Sequence, residues 1–450
     1  MSDGADRRKD RWTTGLVVVS IMACGVIVAG LLDSGSGPAT VDLIADGPAE
    51  APSYVTPTVE YPVDIPGCAT VEPPSEGEAF AMWVGGEQSY DNPRYPWFSA
   101  LKASAMTAAV LDALPEAVEI PLVSPTESLL FEPIPEYEQP PDVEDDFGGV
   151  TSARGPLLRD SSPGSLWLSV SKADRPIPPC VAGELDRRTT LPDGTVLDAD
   201  DTWSEYDGHR TLSRSVAGYF PDGTWIHADA TDENFAEADP GSKYSGTIPL
   251  SLDELTAIVL RPELLASTPV PPGTSPPPTA CGSGGGSEDE GPALTRADLD
   301  RLNAVLDDAW RDQRIALSRP LGSLQLAEYS DNAVCESVDV TTPGSEGTLR
   351  VSIAGGYTVP PEPDKYDPSY DPQAAKATRL PDGSVLERRD GYTSAATVPG
   401  EPAVDEAGRH VTLTRPSGTR VSVSSTSTLP ATPLPYELLE SLATTPGLEL

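Results

Sequence analysis

Two short matches raise the possibility of acyl chemistry on a serine. Ser99-Ala100-Leu101-Lys102 has the SxxK spacing, in which a lysine one helical turn away activates the hydroxyl, and Ser330-Asp331-Asn332 has the SDN order that accompanies it. The third element, KTG, has no counterpart, because Lys243-Tyr244-Ser245-Gly246 does not substitute for it. No HExxH, GxSxG, Walker loop or dinucleotide glycine fingerprint is present, and no cysteine pair has CxxC spacing. The sequence therefore indicates no catalytic residue, no metal ligand set and no cofactor.

Carboxylates are the next candidates, at Glu144-Asp145-Asp146, at Asp198-Ala199-Asp200-Asp201, and at Asp229 with Asp232 and Glu233. Asp198, Asp200 and Thr202 have the alternate spacing of a calcium loop, but the glycine at its sixth position and the glutamate at its twelfth are missing. A solvated loop is the simpler expectation. Paired carboxylates for hydrolysis remain an alternative, since their separation is set by the fold. The three histidines are His209, His227 and His410, and His209 and His410 read as surface residues near matching turns.

Positioning such groups requires elements, and the sequence contains them twice. Leu191-Pro192-Asp193-Gly194-Thr195-Val196-Leu197 returns as Leu380-Pro381-Asp382-Gly383-Ser384-Val385-Leu386. Upstream, Leu166 to Ser171 matches Leu349 to Ile353; downstream, Pro221-Asp222-Gly223-Thr224-Trp225-Ile226 matches Pro416-Ser417-Gly418-Thr419-Arg420-Val421. An apolar-periodic stretch closes each copy, Pro249 to Leu264 and Pro433 to Leu448. Phe98 to Leu114 and Thr295 to Gln313 predict opening helices. The first carries a stripe of Phe98, Leu101, Ala105, Ala108 and Ala109, the second a Thr295 cap. Between them lie period-two strands joined by Pro-Asp-Gly or Pro-Ser-Gly turns. The expected fold class is α+β: two tandem copies of a helix–antiparallel meander–helix unit behind an N-terminal transmembrane helix.

The expected domains are a cytoplasmic tail at 1–12, a transmembrane signal anchor at 13–32 and a Pro-rich stalk at 33–96, with one strand near Phe80 to Val84. Repeat 1 follows at 97–266, a Pro/Gly/Ser-rich linker at 267–293 and repeat 2 at 294–450. Arg7, Arg8, Lys9 and Arg11 before the apolar run, and Asp33 after it, place the N-terminus in the cytoplasm and the bulk outside a single-pass cell membrane anchor. Lipidation at Cys24, within Ile21-Met22-Ala23-Cys24, and cleavage of the apolar run are the alternatives.

Cys68, Cys180, Cys281 and Cys335 then lie in an oxidising compartment, where four cysteines allow three connectivities. One disulfide per copy pairs Cys68 with Cys180 and Cys281 with Cys335. The chain has 450 residues and a net charge of −40, and without the tail 26 basic face 67 acidic residues, a net −41. That field excludes a nucleic-acid binder relying on phosphate contacts and favours cations, a basic protein or another envelope component as partner.

The strand alternation buries Leu166, Leu168 and Val170 and turns Trp167 outward; likewise Ile226 and Ala228 face in, while Trp225 and His227 face out. Copy two has Arg350 and Arg420 at the positions of Trp167 and Trp225. Aromatic and arginine side chains are the types enriched at interfaces. These five residues are the expected partner-binding set, either stacking copy against copy through cation–π contacts or forming one binding surface.

Tandem units with an LPDGTVL turn, a PDGT hairpin and a closing PLSLDELTAI helix resemble a group of membrane-anchored or secreted actinobacterial proteins. The resemblance covers both copies. It implies the compartment and the tandem α+β architecture, and no activity. The reading that follows is a membrane-anchored extracytoplasmic protein with duplicated ligand- or partner-binding domains and no catalysis. A carboxylate-using envelope hydrolase and a structural spacer are the alternatives.

Overall fold

The repeated LPDG sequences form tight turns that return long antiparallel strands. In the first, Gly194 has φ +93° and the Asp193 carboxylate accepts from the Thr195 N–H at 2.9 Å. The second repeats this with Gly383 at φ +88° and Asp382 accepting from Ser384 N–H at 3.0 Å. A positive φ costs glycine nothing, and the aspartate holds the turn's backbone donor.

The computed structural model describes residues 61–74, 89–135, 149–172, 175–206, 209–234, 243–282, 291, 293–328, 330–342, 345–361, 376–395 and 404–450. They belong to one unit, Val59–Leu450. The expected transmembrane segment 13–32, the strand near Phe80 and the acidic run 144–146 lie outside them.

The first lobe contains β1 (Val71–Glu72), α1 (Ala100–Ala113), β2 (Val118–Glu119), β3 (Val150–Arg159), β4 (Ser162–Lys172), β5 (Cys180–Val181), β6 (Arg187–Thr190), β7 (Val196–Tyr206), β8 (His209–Tyr219), β9 (Thr224–Thr231) and α2 (Leu252–Val259). The second contains α3 (Arg296–Trp310), β10 (Ala316–Leu317), β11 (Gln325–Leu326), β12 (Ala333–Thr342), β13 (Ser345–Ala354), β14 (Lys376–Arg379), β15 (Val385–Ala395), β16 (Val404–Thr414), β17 (Arg420–Thr428) and α4 (Tyr436–Ala443). The first large sheet runs β2-β3-β4-β9-β8-β7-β6 and the second β10-β12-β13-β17-β16-β15-β14, with β11 also on β12. Register aligns them position by position: the β3–β4 hairpin closes at Arg159↔Ser162 and the β12–β13 hairpin at Thr342↔Ser345.

This corrects the expected fold class. Strands dominate, in two large antiparallel sheets of seven and eight strands, and only four α-helices occur among the described residues. No described helix is long and apolar enough to cross a membrane. Nor is either sheet a simple meander, because β4 pairs with β9 and β13 with β17 across a long crossover. Period-two patterning specifies which face of a strand is apolar but not which distant strand lies beside it.

One face of each sheet is apolar and covered. Leu166, Leu168, Val170, Val216, Ile226 and Ala228 pack with Met106, Val110, Leu255 and Ile258 of the helices. In the second lobe Leu349, Val351, Ile353, Val411 and Val421 pack with Leu302, Leu306, Leu439 and Leu442. Of the expected α1 stripe, Phe98, Ala105 and Ala109 are buried, but Leu101 and Ala108 are exposed, and Lys102, Ala103, Met106 and Val110 widen the inward face. The Lys102 ammonium is satisfied there by the carbonyls of Glu263, Leu265 and Thr268 at 2.9, 2.7 and 2.8 Å. Residues 61–72, read as stalk, dock on the lobe through buried Ile65 and the parallel β1–β5 pair.

Candidate functional site

The sheet face opposite the helices is where the expected site residues fall. Backbone register places Asp200, Ser215, Asp229, Trp167 and Arg154 in one row across β7, β8, β9, β4 and β3. The next row runs Asp198, Ala217, His227, Ser169 and Ser152. Trp167 is 39% exposed and its ring lies 5.6 Å from the His227 ring. The first lobe's open face thus has an indole and an imidazole at its centre, with Asp229 and Asp200 on the β9 side and Arg154 on the β3 side.

The electrostatics of this face follow from partial burial. Asp229 is pushed up to about 6 by desolvation. Asp200 also rises to about 6, first through burial and then through the charges of Asp186, Asp201 and Asp229. Burial depresses the His227 imidazole below its ordinary value. Asp198, in contrast, is held by a two-pronged Arg188 pair at 2.6 and 2.7 Å. The solvated-loop expectation for Asp198, Asp200 and Thr202 is corrected: they are alternate residues of β7, with Ala199 buried between the first two. Among the described residues no group of three or more His, Cys, Asp or Glu could hold a metal ion.

The second lobe changes the chemistry of the same rows. Arg389, His410, Ser424, Arg350 and Ser337 stand where the first lobe has Asp200, Ser215, Asp229, Trp167 and Arg154. His410 is therefore a mid-strand residue, and His209, at the start of β8 with its ring stacked 5.7 Å from Tyr244, is not its counterpart. Arg350 donates to the Gly282 carbonyl at 2.5 Å, so part of the linker is strapped across this face. The strap is held further by Gln325 Nε2 on the Thr279 carbonyl at 2.6 Å and by the Cys281–Cys335 disulfide. The other disulfide joins Cys68 to Cys180. Both mark an oxidising environment.

Trp225 and Arg420 are each engaged inside their own lobe. Arg175 lies over the Trp225 ring at 3.8 Å, with the Tyr219 ring edge-on at 4.8 Å. Arg420 lies over Tyr357 at 3.8 Å and donates to Thr414 Oγ1 at 3.2 Å. The five residues thus do not stack lobe against lobe: Trp167 meets His227, Trp225 meets Arg175, Arg350 meets Gly282 and Arg420 meets Tyr357. Arg175 and Tyr357 were not singled out in the sequence, because each lies in irregular chain just past a strand. The change from Trp225 to Arg420 was the available signal, since a lost ring calls for a ring elsewhere.

Ser99 and Lys102 have structural roles. The Ser99 hydroxyl caps α1 by accepting from Lys102 N–H at 3.1 Å, and the Lys102 ammonium is turned away onto three carbonyls. Ser330 Oγ donates to Asn332 Oδ1 at 2.9 Å in the other lobe. No acylation site is assembled from them.

No family model matches the chain, and no curated protein matches it. Among solved structures, the crystal structure of MucB in complex with MucA(peri) aligns with 67% of this chain and 89% of that one. Its 9% identity and TM-score of 0.13 carry no argument about fold or function.

Proposed function

We propose that the protein is a non-enzymatic, membrane-anchored extracytoplasmic binding protein, held by residues 13–32, whose first lobe presents its open sheet face to a partner. One observation carries this reading. Trp167 stands exposed beside His227 at the centre of the face, whereas Arg350, at the equivalent place in the second lobe, is occupied by the chain's own strap. Among the described residues, the linker reaches Arg350 in the second copy, whereas Trp167 is exposed in the first. The flanking Asp200 and Asp229 and the net charge of −40 favour a basic partner.

The test is site-specific photo-crosslinking from position 167 in the native envelope, with a crosslinker at exposed Leu101 on the helix face as the comparison. One discrete adduct from 167 and none from 101 is expected. The same adducts from both positions, or none from either, would overturn the reading. A carboxylate-using hydrolase is the second reading, favoured by the shared upward shift of Asp200 and Asp229 to about 6. It requires turnover that Asp229→Asn abolishes.

A further inference from the structure

A cavity of about 670 Å³ opens at the turn end of the first lobe, between the turns that carry Gly194 and Gly223. It is of the size that holds a small organic ligand, which is typically a few hundred cubic ångströms or more. Its walls are of two kinds. Trp225, Tyr219 and the half-exposed Ile177 supply ring faces and an aliphatic edge, and Lys172 and Arg175 supply two positive charges.

The charges are the unusual part. The chain has 70 acidic and 30 basic residues, yet among the described residues neither Lys172 nor Arg175 is ion-paired. Two carboxylates share the lining, but both are engaged with backbone: Asp193 accepts from Thr195 N–H at 2.9 Å, and Asp222 accepts from Thr224 and Ser267 N–H at 2.9 and 3.3 Å. The Arg175 guanidinium carbon lies over Trp225, 3.8 Å from the ring centroid. A stacked guanidinium keeps its N–H edge available, and that edge matches a carboxylate in two-pronged geometry.

The second lobe builds the matching contact with its members exchanged. Between its own turns the chain inserts Tyr357, 6% exposed, with the ring under Arg420 and its N–H on the Gly418 carbonyl at 3.0 Å. There the ring is supplied by the chain. In the first lobe the chain that follows β4 supplies a cation instead, and the cavity lies beside it.

We propose that this cavity binds a small aromatic carboxylate, its carboxylate on Arg175 and Lys172 and its ring against Tyr219 and Trp225. The site is separate from the partner face around Trp167 and does not depend on it. The experiment is calorimetric titration of the full-length chain, kept in mild detergent, with 4-hydroxybenzoate and with its neutral analogue 4-hydroxybenzamide. Saturable binding of the acid is expected, with the amide at least about tenfold weaker because it cannot form the charge-assisted pair. Arg175→Gln should cost about tenfold in affinity for the acid. Because that change also disturbs the Trp225 stack, Lys172→Gln, which leaves the stack in place, is the second variant and should weaken the acid selectively. Absence of saturable acid binding, equal affinity for acid and amide, or acid binding unmoved by both substitutions would overturn the assignment.

Discussion

The Arg175 guanidinium lies 3.8 Å from the centroid of the Trp225 ring, and the second lobe contains the same pair with its members exchanged, Arg420 lying 3.8 Å over Tyr357. In each lobe one member sits at the start of the last strand of the sheet and the other just past the hairpin strand paired with it. Duplicated units that diverge under a packing constraint change both sides of a contact together. The aromatic-to-basic difference at this position is thus the same interaction with its sides exchanged, and of the five residues Trp167 alone is exposed.

A double-mutant cycle on Arg175→Ala and Trp225→Ala checks the pair. The coupling energy should be about 1 kcal/mol, the size of a partly desolvated cation–π contact. Urea denaturation of the wild type, the two single variants and the double variant measures it, and strictly additive effects would mean that the stacking contributes nothing.

Lys102 should be intolerant of replacement by an apolar side chain. Lys102→Met fills similar space but leaves the carbonyls of Glu263, Leu265 and Thr268 buried without their donor. A loss of about 2–4 kcal/mol is expected, since an orphaned buried polar group costs about 1–3 kcal/mol. Burial lowers the ammonium from 10.5 to about 8. The folded state then binds fewer protons than the unfolded state between those values, and wild-type stability should rise from pH 8 to pH 10.5. Chemical denaturation across that range would show the rise in the wild type and its absence in Lys102→Met.

Local features were legible in the sequence where one stretch of chain decides the outcome. Alternation identified Leu166, Leu168 and Val170 as the buried side of β4, and the Thr295 cap read from the sequence forms a capping box with Asp298. The LPDG turns likewise need only their own residues. What escaped was set by distant chain. Residues 118–119, 316–317 and 325–326 are strands only because a neighbour offers its edge, and β4 finds β9 across the intervening strands β5 to β8. Lys102 is buried while Leu101 is exposed because three carbonyls after α2 offset the cost of burying an ammonium, which helical periodicity cannot anticipate. At the open face, the residue types could be read, but not that Arg350 is covered while Trp167 is not.

Asp229 should make the fold sensitive to mild acid, with an inverted sign. Its carboxyl is raised from 3.8 to about 6 by burial, so between those values the folded state holds more protons than the unfolded chain. Stability therefore falls as pH rises from about 4 to about 6 and stays lowered above that. Asp229→Asn, which needs no charge, should exceed the wild type by about 1 kcal/mol at pH 7 and match it at pH 4, the full shift being discounted for solvent screening. Denaturation midpoints at the two pH values test this, and an equal gap at both would remove the electrostatic explanation.

The strap on the second lobe should depend on its disulfide more than on its hydrogen bonds. Cys281 and Cys335 are 54 residues apart, and closing a loop of that length restricts the unfolded chain by about 4 kcal/mol in the chain-entropy model, with typical measured values of about 2–4. Arg350 on Gly282 and Gln325 on Thr279 are two further contacts, each worth about 1 kcal/mol net. Replacing both cysteines by serine should lower the denaturation midpoint by an amount corresponding to about 2–4 kcal/mol, whereas Arg350→Gln should cost about 1 kcal/mol. Loss of the bridge should also raise hydrogen exchange at Glu328, whose N–H donates to the Cys281 carbonyl at 3.0 Å. Unchanged exchange at Glu328 in the serine variant would show that the arginine and glutamine alone hold the strap down, and that the second lobe's face stays closed without its disulfide.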